Sequence, residues 1–286
     1  MKKDTLLVHS GRNPDDNFGI VNPPVYHAST VTSPTMAEFT AKPERAFDGV
    51  QYGRTGTPTT FALEDAVNAL YGGHETVALS SGLAAISVSM MAFLQAGDHA
   101  LVADNVYEPT RVRTCEGLLK RSGVEVTYFD PLQPIADHLR PETKVVYFES
   151  PGSLTFEMLD VPAIAAEAKA AGALVLMDNT WATPLFFQPF DHGVDIVIEA
   201  GTKYICGHAD VMLGVAAVSS EEQFQRLKWT ANAMGNCPGP DDCYLGLRGL
   251  RTLSVRLERH QKNALKLAKW LQDRSEVDRV LYPALE

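Results

Sequence analysis

The sequence predicts an α/β fold in which helices cover both faces of a mostly parallel sheet. Two observations support this prediction. Short apolar runs alternate with segments of helical periodicity along most of the chain, which is typical of strand–helix–strand units. The apolar runs are rich in valine and leucine, as expected for strands that are buried on both faces.

Composition restricts the class of protein. With 286 residues and a hydrophobic content of 45%, the chain can bury a large core, and we expect one main domain with a smaller appendage. Lys and Arg total 25 against 35 Asp and Glu, and no basic run is present, so nucleic acid is not an expected partner. The first apolar run is too short for a signal peptide, and no segment approaches the ~20 apolar residues of a membrane span. We therefore expect a cytoplasmic protein without a membrane partner.

The cysteines indicate buried thiols. They show no C-x-x-C pair and no repeating spacing, which argues against a zinc site and against a disulfide framework. Cys206, His208 and Asp210 alternate in a way that could be drawn as a metal site, but such triplets arise often by chance, and no metal is predicted. The four cysteines are Cys115, Cys206, Cys237 and Cys243.

The first 60 residues look like an arm. They are rich in proline, threonine, glycine and asparagine and have little periodicity, so they must pack on the same globule or on a neighbouring subunit. The arm contains Tyr52 and Arg54, which in an extended chain would point the same way. A tyrosine hydroxyl beside a guanidinium can bind phosphate, although an ordinary surface pair has the same spacing.

Helices and strands are predicted in turn along the rest of the chain. A helix over 61–71 ends at Gly72-Gly73 and is followed by a strand over 76–79 and an apolar helix from about 82 to about 95. Further strands are expected at 99–103, 124–129, 144–149, 173–177, 194–198 and 210–218, and further helices at 109–121, 161–171 and 221–234.

The last part of the chain predicts one long helical stretch and then a strand. The helical pattern covers 241–273 with an interruption at 246–249, and the strand covers 277–282. The apolar stripe near its end is assigned to the core: Leu265, Leu267, Ala268, Trp270 and Leu271. We divide the chain into an N-terminal arm (1–60), a main α/β domain (61–250) and a connecting helix with the start of a C-terminal domain (251–286).

The junction between the strand at 76–79 and the next helix predicts an anion site. Ser80 and Ser81 lead into Gly82 and Leu83, so free backbone N–H groups and the positive helix end would face an anion. The junction matches neither the G-x-G-x-x-G fingerprint nor a Walker loop, which disfavours a nucleotide-binding protein. A single phosphate fits better than a diphosphate.

Lys203 follows the apolar run 194–198, just past the predicted end of a strand, where α/β proteins usually bind ligands. It is either a solvated surface ammonium or an amine that forms a Schiff base. The sequence around Lys203 leaves both interpretations open.

Two further strand ends carry candidate residues. Asp178 follows the run 174–177 and is either a turn cap or the partner of a buried positive nitrogen. Tyr107 follows the strand at 99–103 and is either a half-buried aromatic or a plate on which a flat ring stacks. In a parallel sheet, both would lie at the same carboxyl edge as Gly82 and Lys203.

A pyridoxal phosphate site requires a stacking tyrosine, a carboxylate, a lysine and a phosphate cradle, which here would be the backbone N–H groups of Gly82 and Leu83. On these residues the chain, from Thr5 to its end, resembles the Cys/Met-metabolism (trans-sulfuration) family of fold-type I pyridoxal phosphate enzymes. The resemblance implies that Lys203 forms the Schiff base, that Asp178 binds the pyridine nitrogen, and that Tyr107 stacks on the ring and can move a proton.

The same resemblance implies how the cofactor phosphate is held. Gly82 and Leu83 would donate backbone N–H groups, and Thr202 would add its hydroxyl. Tyr52 and Arg54 would reach the phosphate of a neighbouring subunit. The implied assembly is a homodimer or a homotetramer with active sites shared between subunits.

Three local sequences indicate the reaction. Family members that act at the γ carbon show Gly-Asn-Pro-Thr, Pro-x-Asn-Pro and Asp-Asn-Thr-Phe, whereas this chain has Gly-Thr-Pro-Thr at 56–59, Ser-Pro-Gly-Ser-Leu at 150–154 and Asp-Asn-Thr-Trp at 178–181. The differences match the branch that acts at the β carbon. The implied reaction is β-elimination of cystathionine to homocysteine, pyruvate and ammonia, with cysteine as a possible further substrate. The alternatives are a γ-lyase or γ-synthase type of reaction, or cofactor binding without turnover.

Two features depart from the resembled family. Ala200 stands where many members have a serine that binds the phosphate, which removes one hydrogen bond worth about 1.5–3 kcal/mol. Members of the family also continue into a C-terminal domain that supplies an arginine for the substrate carboxylate. We expect this chain to be truncated before that domain.

Overall fold

The structure is a computed structural model that describes residues 2–41, 47 and 49–285. Its helices are α1 (Lys3–His9), α2 (Met36–Ala41), α3 (Pro58–Tyr71), α4 (Gly82–Phe93), α5 (Val161–Ala170), α6 (Thr183–Phe186), α7 (Glu221–Ala233), α8 (Pro240–Leu250) and α9 (Leu253–Gln272). Its strands are β1 (Glu75–Leu79), β2 (His99–Ala103), β3 (Glu125–Phe129), β4 (Thr143–Glu149), β5 (Leu174–Asp178), β6 (Ile196–Glu199) and β7 (Gly214–Val218). A π-helical segment covers Thr110–Leu119.

Most predicted elements are confirmed with shifted ends. The helix predicted from residue 61 begins at Pro58, because Thr57 and Thr60 form a capping box and proline suits the first helical turn. That helix ends as predicted, where Gly72 adopts a left-handed conformation with φ of 69°. The helix predicted over 109–121 is present, but its centre is π-helical, which the side-chain pattern does not indicate.

The chain divides into two compact units. Unit 1 combines residues 1–92 with residues 199–251, and unit 2 combines residues 93–198 with residues 252–286. The boundaries predicted at residues 60 and 250 stay predictions.

Unit 2 contains the parallel sheet. Its strand order is β6-β5-β4-β2-β3, and each pair of neighbours is parallel. Every residue of β2 is buried, and Val145, Val146 and Phe148 of β4 are fully buried. Burial on both faces confirms the fold class that the valine-rich and leucine-rich runs predicted. The register pairs Glu149 at the end of β4 with Asp178 at the end of β5.

Unit 1 contains an antiparallel pair of strands beneath α3. β1 pairs with β7, with Val77 opposite Ala216. The buried face of α3 includes Leu63, Ala66 and Val67, which repeat at helical spacing, and α3 packs on β1 and α8. These contacts give unit 1 an apolar core of its own.

The N-terminal arm packs partly on unit 1. α1 contacts α3 and buries Leu7, and the Arg251 guanidinium donates hydrogen bonds to the carbonyl oxygens of Leu7 (2.6 Å) and Ser10 (2.8 Å). Farther along, Phe18 is 99% exposed, and other apolar side chains of the arm are exposed too. Of the two alternatives for the arm, packing on the same globule therefore holds for its first ten residues.

The predicted strand over 210–218 is too long, because only Gly214–Val218 is a strand. The residues before it are held by hydrogen bonds between Leu213 and Thr202 instead of by a neighbouring strand. The break predicted at 246–249 is also wrong. Gly246 and Gly249 lie inside α8, where they permit close packing: a Cβ atom on Gly249 would stand 2.1 Å from the carbonyl oxygen of Ile205. The helical pattern instead breaks after Leu250.

Two predictions for the last 35 residues are wrong. The stripe assigned to the core of α9 is largely exposed, since Leu267 is 57% and Trp270 is 50% exposed and only Ala268 of that stripe is buried. The strand predicted over 277–282 is absent from the described residues, which have an irregular backbone there and then a 3-10 turn at Pro283–Leu285. Apolar residues alone do not form a strand without a partner strand.

None of the described helices is both long enough and apolar enough to span a lipid bilayer.

Candidate active site

The first turn of α4 lies against the chain that precedes Lys203. A Cβ atom on Gly82 would stand 2.6 Å from the Cβ of Ala200, closer than two such atoms can approach. Glycine at position 82 therefore permits a contact that any other residue would disturb. Lys203 belongs to the same cluster, because its backbone N–H donates to the Ala200 carbonyl over 2.9 Å. The structure thus brings Gly82 and Lys203 together through Ala200.

The backbone at the start of α4 can bind an anion. Ser81 occupies two of the N–H groups of the first turns: its hydroxyl accepts from Ala84 (3.1 Å) and its carbonyl from Ala85 (2.9 Å). Gly82 and Leu83 hold the first two helical positions, whose N–H groups have no acceptor within a helix. These two donors and the positive end of the helix dipole suit one phosphate group.

The Thr202 hydroxyl has partners within unit 1. It donates to the carbonyl of Leu213 (3.1 Å) and accepts from the Leu213 N–H (2.9 Å). A phosphate could therefore accept the Thr202 hydroxyl proton only in place of the Leu213 carbonyl. The phosphate contact expected of Thr202 stays a prediction.

Lys203 stands four residues past Glu199, the last residue of β6, as predicted. Its side chain is exposed, and its ammonium has no ion pair or hydrogen bond within the part of the chain that the structure describes. The backbone is nevertheless fixed, because the Lys203 carbonyl accepts from the Gly207 N–H over 2.8 Å. A free amine on a fixed backbone suits the formation of an imine.

Tyr52 and Arg54 lie near each other, but not for the reason predicted. The chain at Gly53–Thr55 is a 3-10 turn instead of an extended strand. The Arg54 guanidinium still comes within 6.0 Å of the centre of the Tyr52 ring and donates a hydrogen bond to the Asn232 carbonyl over 2.7 Å. Both side chains are exposed and border a cavity of about 290 Å³.

Asp178 is the last residue of β5 and is buried in unit 2. Its Oδ1 accepts a hydrogen bond from the Thr180 N–H over 2.9 Å. Burial raises the pKa of the Asp178 carboxyl, and the bonds from Thr180 partly oppose the rise. A buried carboxylate of this kind would be stabilised by a positively charged nitrogen.

Tyr107 lies shortly after β2, and its carbonyl accepts from the N–H groups of Thr110 (2.9 Å) and Arg111 (3.2 Å). Tyr107 is 48% exposed, so a flat ligand can reach its ring.

Sequence reasoning missed one residue of this part of unit 2. Glu149 ends β4 beside Asp178 in the parallel register and is buried. The signal was available, because an acidic residue closes the apolar run Val145-Val146-Tyr147-Phe148, as Asp178 closes its own strand.

Across residues 2–41, 47 and 49–285, no group of three or more His, Cys, Asp or Glu residues is arranged to hold a metal ion. Within the alternating triplet, a ring nitrogen of His208 instead lies 2.8 Å from the Cys206 carbonyl oxygen.

The sequence and the fold of this chain are similar to those of known proteins. A putative cystathionine beta-lyase of Rhizobium johnstonii is 50% identical over 284 residues, which are 99% of this chain and 70% of that protein. Cystathionine beta-lyase MetC of Escherichia coli is 41% identical over 99% of this chain and 73% of its own length. The crystal structure of metB from Corynebacterium glutamicum matches 100% of this chain and 73% of that one, with a TM-score of 0.93 and 34% identity.

The sequence profile of the Cys/Met metabolism PLP-dependent enzymes matches residues 4–286. In unit 1 the start of α4 suits one phosphate group and Lys203 offers an amine, and in unit 2 Asp178 offers a buried carboxylate; pyridoxal phosphate enzymes use groups of these three kinds. The chain belongs to the family of Cys/Met metabolism PLP-dependent enzymes, and its cofactor is pyridoxal 5'-phosphate. The predicted family, fold class and cofactor are therefore confirmed.

The residues present fit this cofactor. The close contact between Gly82 and Ala200 leaves no room for a side chain at the phosphate cradle. Lys203 offers an exposed amine, and Asp178 offers a buried carboxylate whose raised pKa a bound cation would lower.

Proposed function

We propose that the chain is a carbon–sulfur lyase that catalyses β-elimination of cystathionine, which with one water gives homocysteine, pyruvate and ammonia. The observation that carries this proposal is identity of 41% to cystathionine beta-lyase MetC of Escherichia coli and of 50% to the putative cystathionine beta-lyase of Rhizobium johnstonii, each over 99% of this chain. The three local sequences at 56–59, 150–154 and 178–181 support action at the β carbon. Cysteine is a further candidate substrate of the same reaction type.

The roles proposed for the site residues follow from their chemistry. Gly82 and Leu83 bind the cofactor phosphate through backbone N–H groups, and Thr202 adds its hydroxyl. Lys203 binds the cofactor covalently, Asp178 pairs with its ring nitrogen, and Tyr107 stacks on its ring. One pyridoxal molecule carries an aldehyde and a ring nitrogen, so Lys203 and Asp178 are proposed to serve the same cofactor.

When bound, pyridoxal phosphate supplies an aldehyde that captures an amine and a ring that accepts an electron pair. The Lys203 amine, when it is free, would take the proton from the substrate Cα. Asp178 holds a proton at the ring nitrogen by charge attraction. Lys203 or Tyr107 then returns a proton to the sulfur of the departing thiolate.

The keto acid formed from cystathionine tests the proposed reaction. Pyruvate is expected from the wild-type chain incubated with pyridoxal phosphate, and Lys203→Arg is the control that keeps a positive charge but cannot form the imine. Formation of 2-oxobutyrate would assign the γ carbon instead. A cofactor absorption band that does not change on addition of cystathionine would indicate binding without turnover.

The proposed assembly is a homodimer or homotetramer whose active sites are shared. It is supported by the exposure of Tyr52 and Arg54 and by the exposed apolar side chains of the arm, which include Phe18, Met36 and Phe39. We propose that residues 1–60 form an N-terminal arm that contacts a neighbouring subunit beyond its first ten residues, that 61–250 form the cofactor-binding α/β domain, and that 251–286 form a connecting helix and the start of a C-terminal domain.

Mixing two inactive variants tests the shared site. If Arg54 acts on the partner's cofactor, one site of each mixed dimer of Arg54→Ala and Lys203→Ala carries neither change. Random exchange of subunits should then restore about a quarter of wild-type activity. Two variants that remain inactive after exchange, with mixed dimers demonstrated by native mass spectrometry, would place Arg54 and Lys203 in the same subunit's site.

We also propose a cytoplasmic location. The cysteines are free thiols, as is usual in a reducing compartment, and Cys115, Cys206 and Cys243 are buried as expected. The expectation of a buried thiol is wrong for Cys237, which is exposed. Fractionation of cells that express the tagged chain tests this proposal, and recovery outside the cytosol would refute it.

A further inference from the structure

Glu149 and Asp178 form a buried pair of carboxyl groups at the end of the parallel sheet of unit 2. They close β4 and β5 and stand opposite each other in the register. Adjacent parallel strands lie about 4.8 Å apart, and residues paired in register point to the same face. Glu149 is 9% exposed and Asp178 is 7% exposed, so neither carboxyl has ready access to water.

The two carboxyl groups have different hydrogen bonds. Oδ1 of Asp178 accepts from the Thr180 N–H over 2.9 Å, which favours the ionised form of Asp178. Oε1 of Glu149 is buried and has no hydrogen-bond partner in the described part of the chain. A carboxylate oxygen without a donor is costly to bury, whereas a protonated carboxyl is much less so.

The groups around the pair do not neutralise it. Burial and the charge of Asp178 raise the pKa of Glu149 to about 9, and the backbone N–H of Tyr107 only partly opposes the rise. On the same strand, the fully buried Tyr147 has a pKa well above its usual value and stays uncharged. Cys115, whose thiolate charge would act on Tyr147, is neutral too, because burial raises its pKa to about 12.

We propose that Glu149 and Asp178 retain one proton between them at neutral pH, with Glu149 as the neutral acid and Asp178 as the single anion. This inference rests on the proposed role of Asp178 for its functional meaning. Glu149 is then a positioning residue that acts through Asp178. One negative charge at Asp178 matches the one positive charge of a protonated ring nitrogen, whereas two neighbouring carboxylates would leave an uncompensated buried charge.

The pair has a defined effect on stability. A glutamate that titrates near its ordinary value of 4.5 in the unfolded chain and at about 9 in the folded chain binds its proton more tightly when folded. The raised pKa of folded Glu149 stabilises the protein fully below about pH 4.5, and this stabilisation is lost as the pH rises through about 9. Glu149→Gln cannot ionise, so its unfolding temperature should fall less than that of the wild type between about pH 6 and about pH 9.5.

Infrared spectroscopy of the cofactor-free protein tests the proton directly. The wild type should show a carbonyl stretch of a protonated carboxylic acid at neutral pH that disappears as the pH passes about 9. The band should be missing from Glu149→Gln and retained in Glu142→Gln, an exposed glutamate of the same unit. In Asp178→Asn the band should disappear at a lower pH, because the neighbouring charge is gone.

The cofactor gives a second, separate readout. With pyridoxal phosphate, Glu149→Gln should keep the visible band and should remain active at a higher pH than the wild type. An infrared band that is the same in Glu149→Gln and the wild type would overturn the proposal of a shared proton. An equal fall in the unfolding temperature of the two proteins with rising pH would overturn it as well. A wild-type protein that shows the infrared band but binds no cofactor would refute the proposed function and leave the pair intact.

Discussion

Addition of a single methyl group at Gly82 should be enough to disturb the phosphate cradle. A methyl group at position 82 would meet Ala200 at 2.6 Å, so Gly82→Ala should shift the first turn of α4. We expect a loss of about 1–3 kcal/mol in stability and weaker binding of pyridoxal phosphate. Fluorescence titration with the cofactor and urea unfolding measure the two effects.

Gly239→Ala is the matched control for this substitution. Its added methyl group would stand 3.5 Å from its nearest neighbour, an oxygen of Asp242, which is ordinary contact. Gly82→Ala and Gly239→Ala variants with the same cofactor affinity would show that the start of α4 does not bind the phosphate.

Asp178→Asn should separate activity from stability. The amide keeps the acceptor for the Thr180 N–H but removes a carboxylate that burial disfavours, as its raised pKa shows. We expect turnover to fall by about 10²–10³-fold while the cofactor-free protein becomes more stable at neutral pH. Assays of keto acid and thermal unfolding check both signs, and a variant with wild-type turnover would exclude Asp178 as the partner of the ring nitrogen.

The individual residues show why some of the site was predictable. Lys203 and Asp178 follow apolar runs that had to be strands, so their places at strand ends could be predicted from local sequence. Glu149 has the same local signal but was missed, because it becomes a candidate only once Asp178 is known to lie beside it in the neighbouring strand. The hydrogen bonds of Thr202 were not predictable either, because they depend on Leu213, and nothing local specifies that pairing.

At the scale of elements, one buried ion pair joins α3 to α7. Lys228 lies 2.9 Å from Glu64, both side chains are 7% exposed, and Glu64 also accepts from the Ala78 N–H of β1 over 2.8 Å. Lys228→Met would leave a buried carboxylate without its partner and should destabilise the protein by about 3–5 kcal/mol. Urea unfolding measures the change.

Two variants make this prediction specific. Glu64→Gln combined with Lys228→Met removes the unpaired charge and keeps an acceptor for Ala78, so part of the lost stability should return. Lys169→Met, which breaks a more exposed pair with Asp195, should cost at most about 1 kcal/mol. Equal losses for Lys228→Met and Lys169→Met would contradict the importance of burial.

The elements also show where periodicity fails. The pattern identified α9 but assigned its stripe to the core, although Leu267 and Trp270 are largely exposed. An amphipathic pattern reports that a face is apolar and does not report what covers it. Similarly, Gly246 and Gly249 read locally as a helix break, whereas their small size serves close packing inside α8.

At the scale of the whole molecule, the fold class was predictable because it depends on many residues at once. The alternation of helices with valine-rich and leucine-rich strands predicted a parallel α/β sheet, and the TM-score of 0.93 to a solved relative agrees with it. The antiparallel pair of β1 and β7 was not predicted, because strand direction depends on contacts between residues more than 130 positions apart. Local sequence carries no record of such contacts.

The central claim for the whole molecule is that Lys203 binds pyridoxal phosphate covalently. Reduction of the cofactor-loaded protein with borohydride, followed by peptide mass spectrometry, tests it most directly. We predict one pyridoxyl group per chain, on the peptide that contains Lys203, and none in Lys203→Ala. A label on another lysine such as the buried Lys228, or no label at all, would contradict the account.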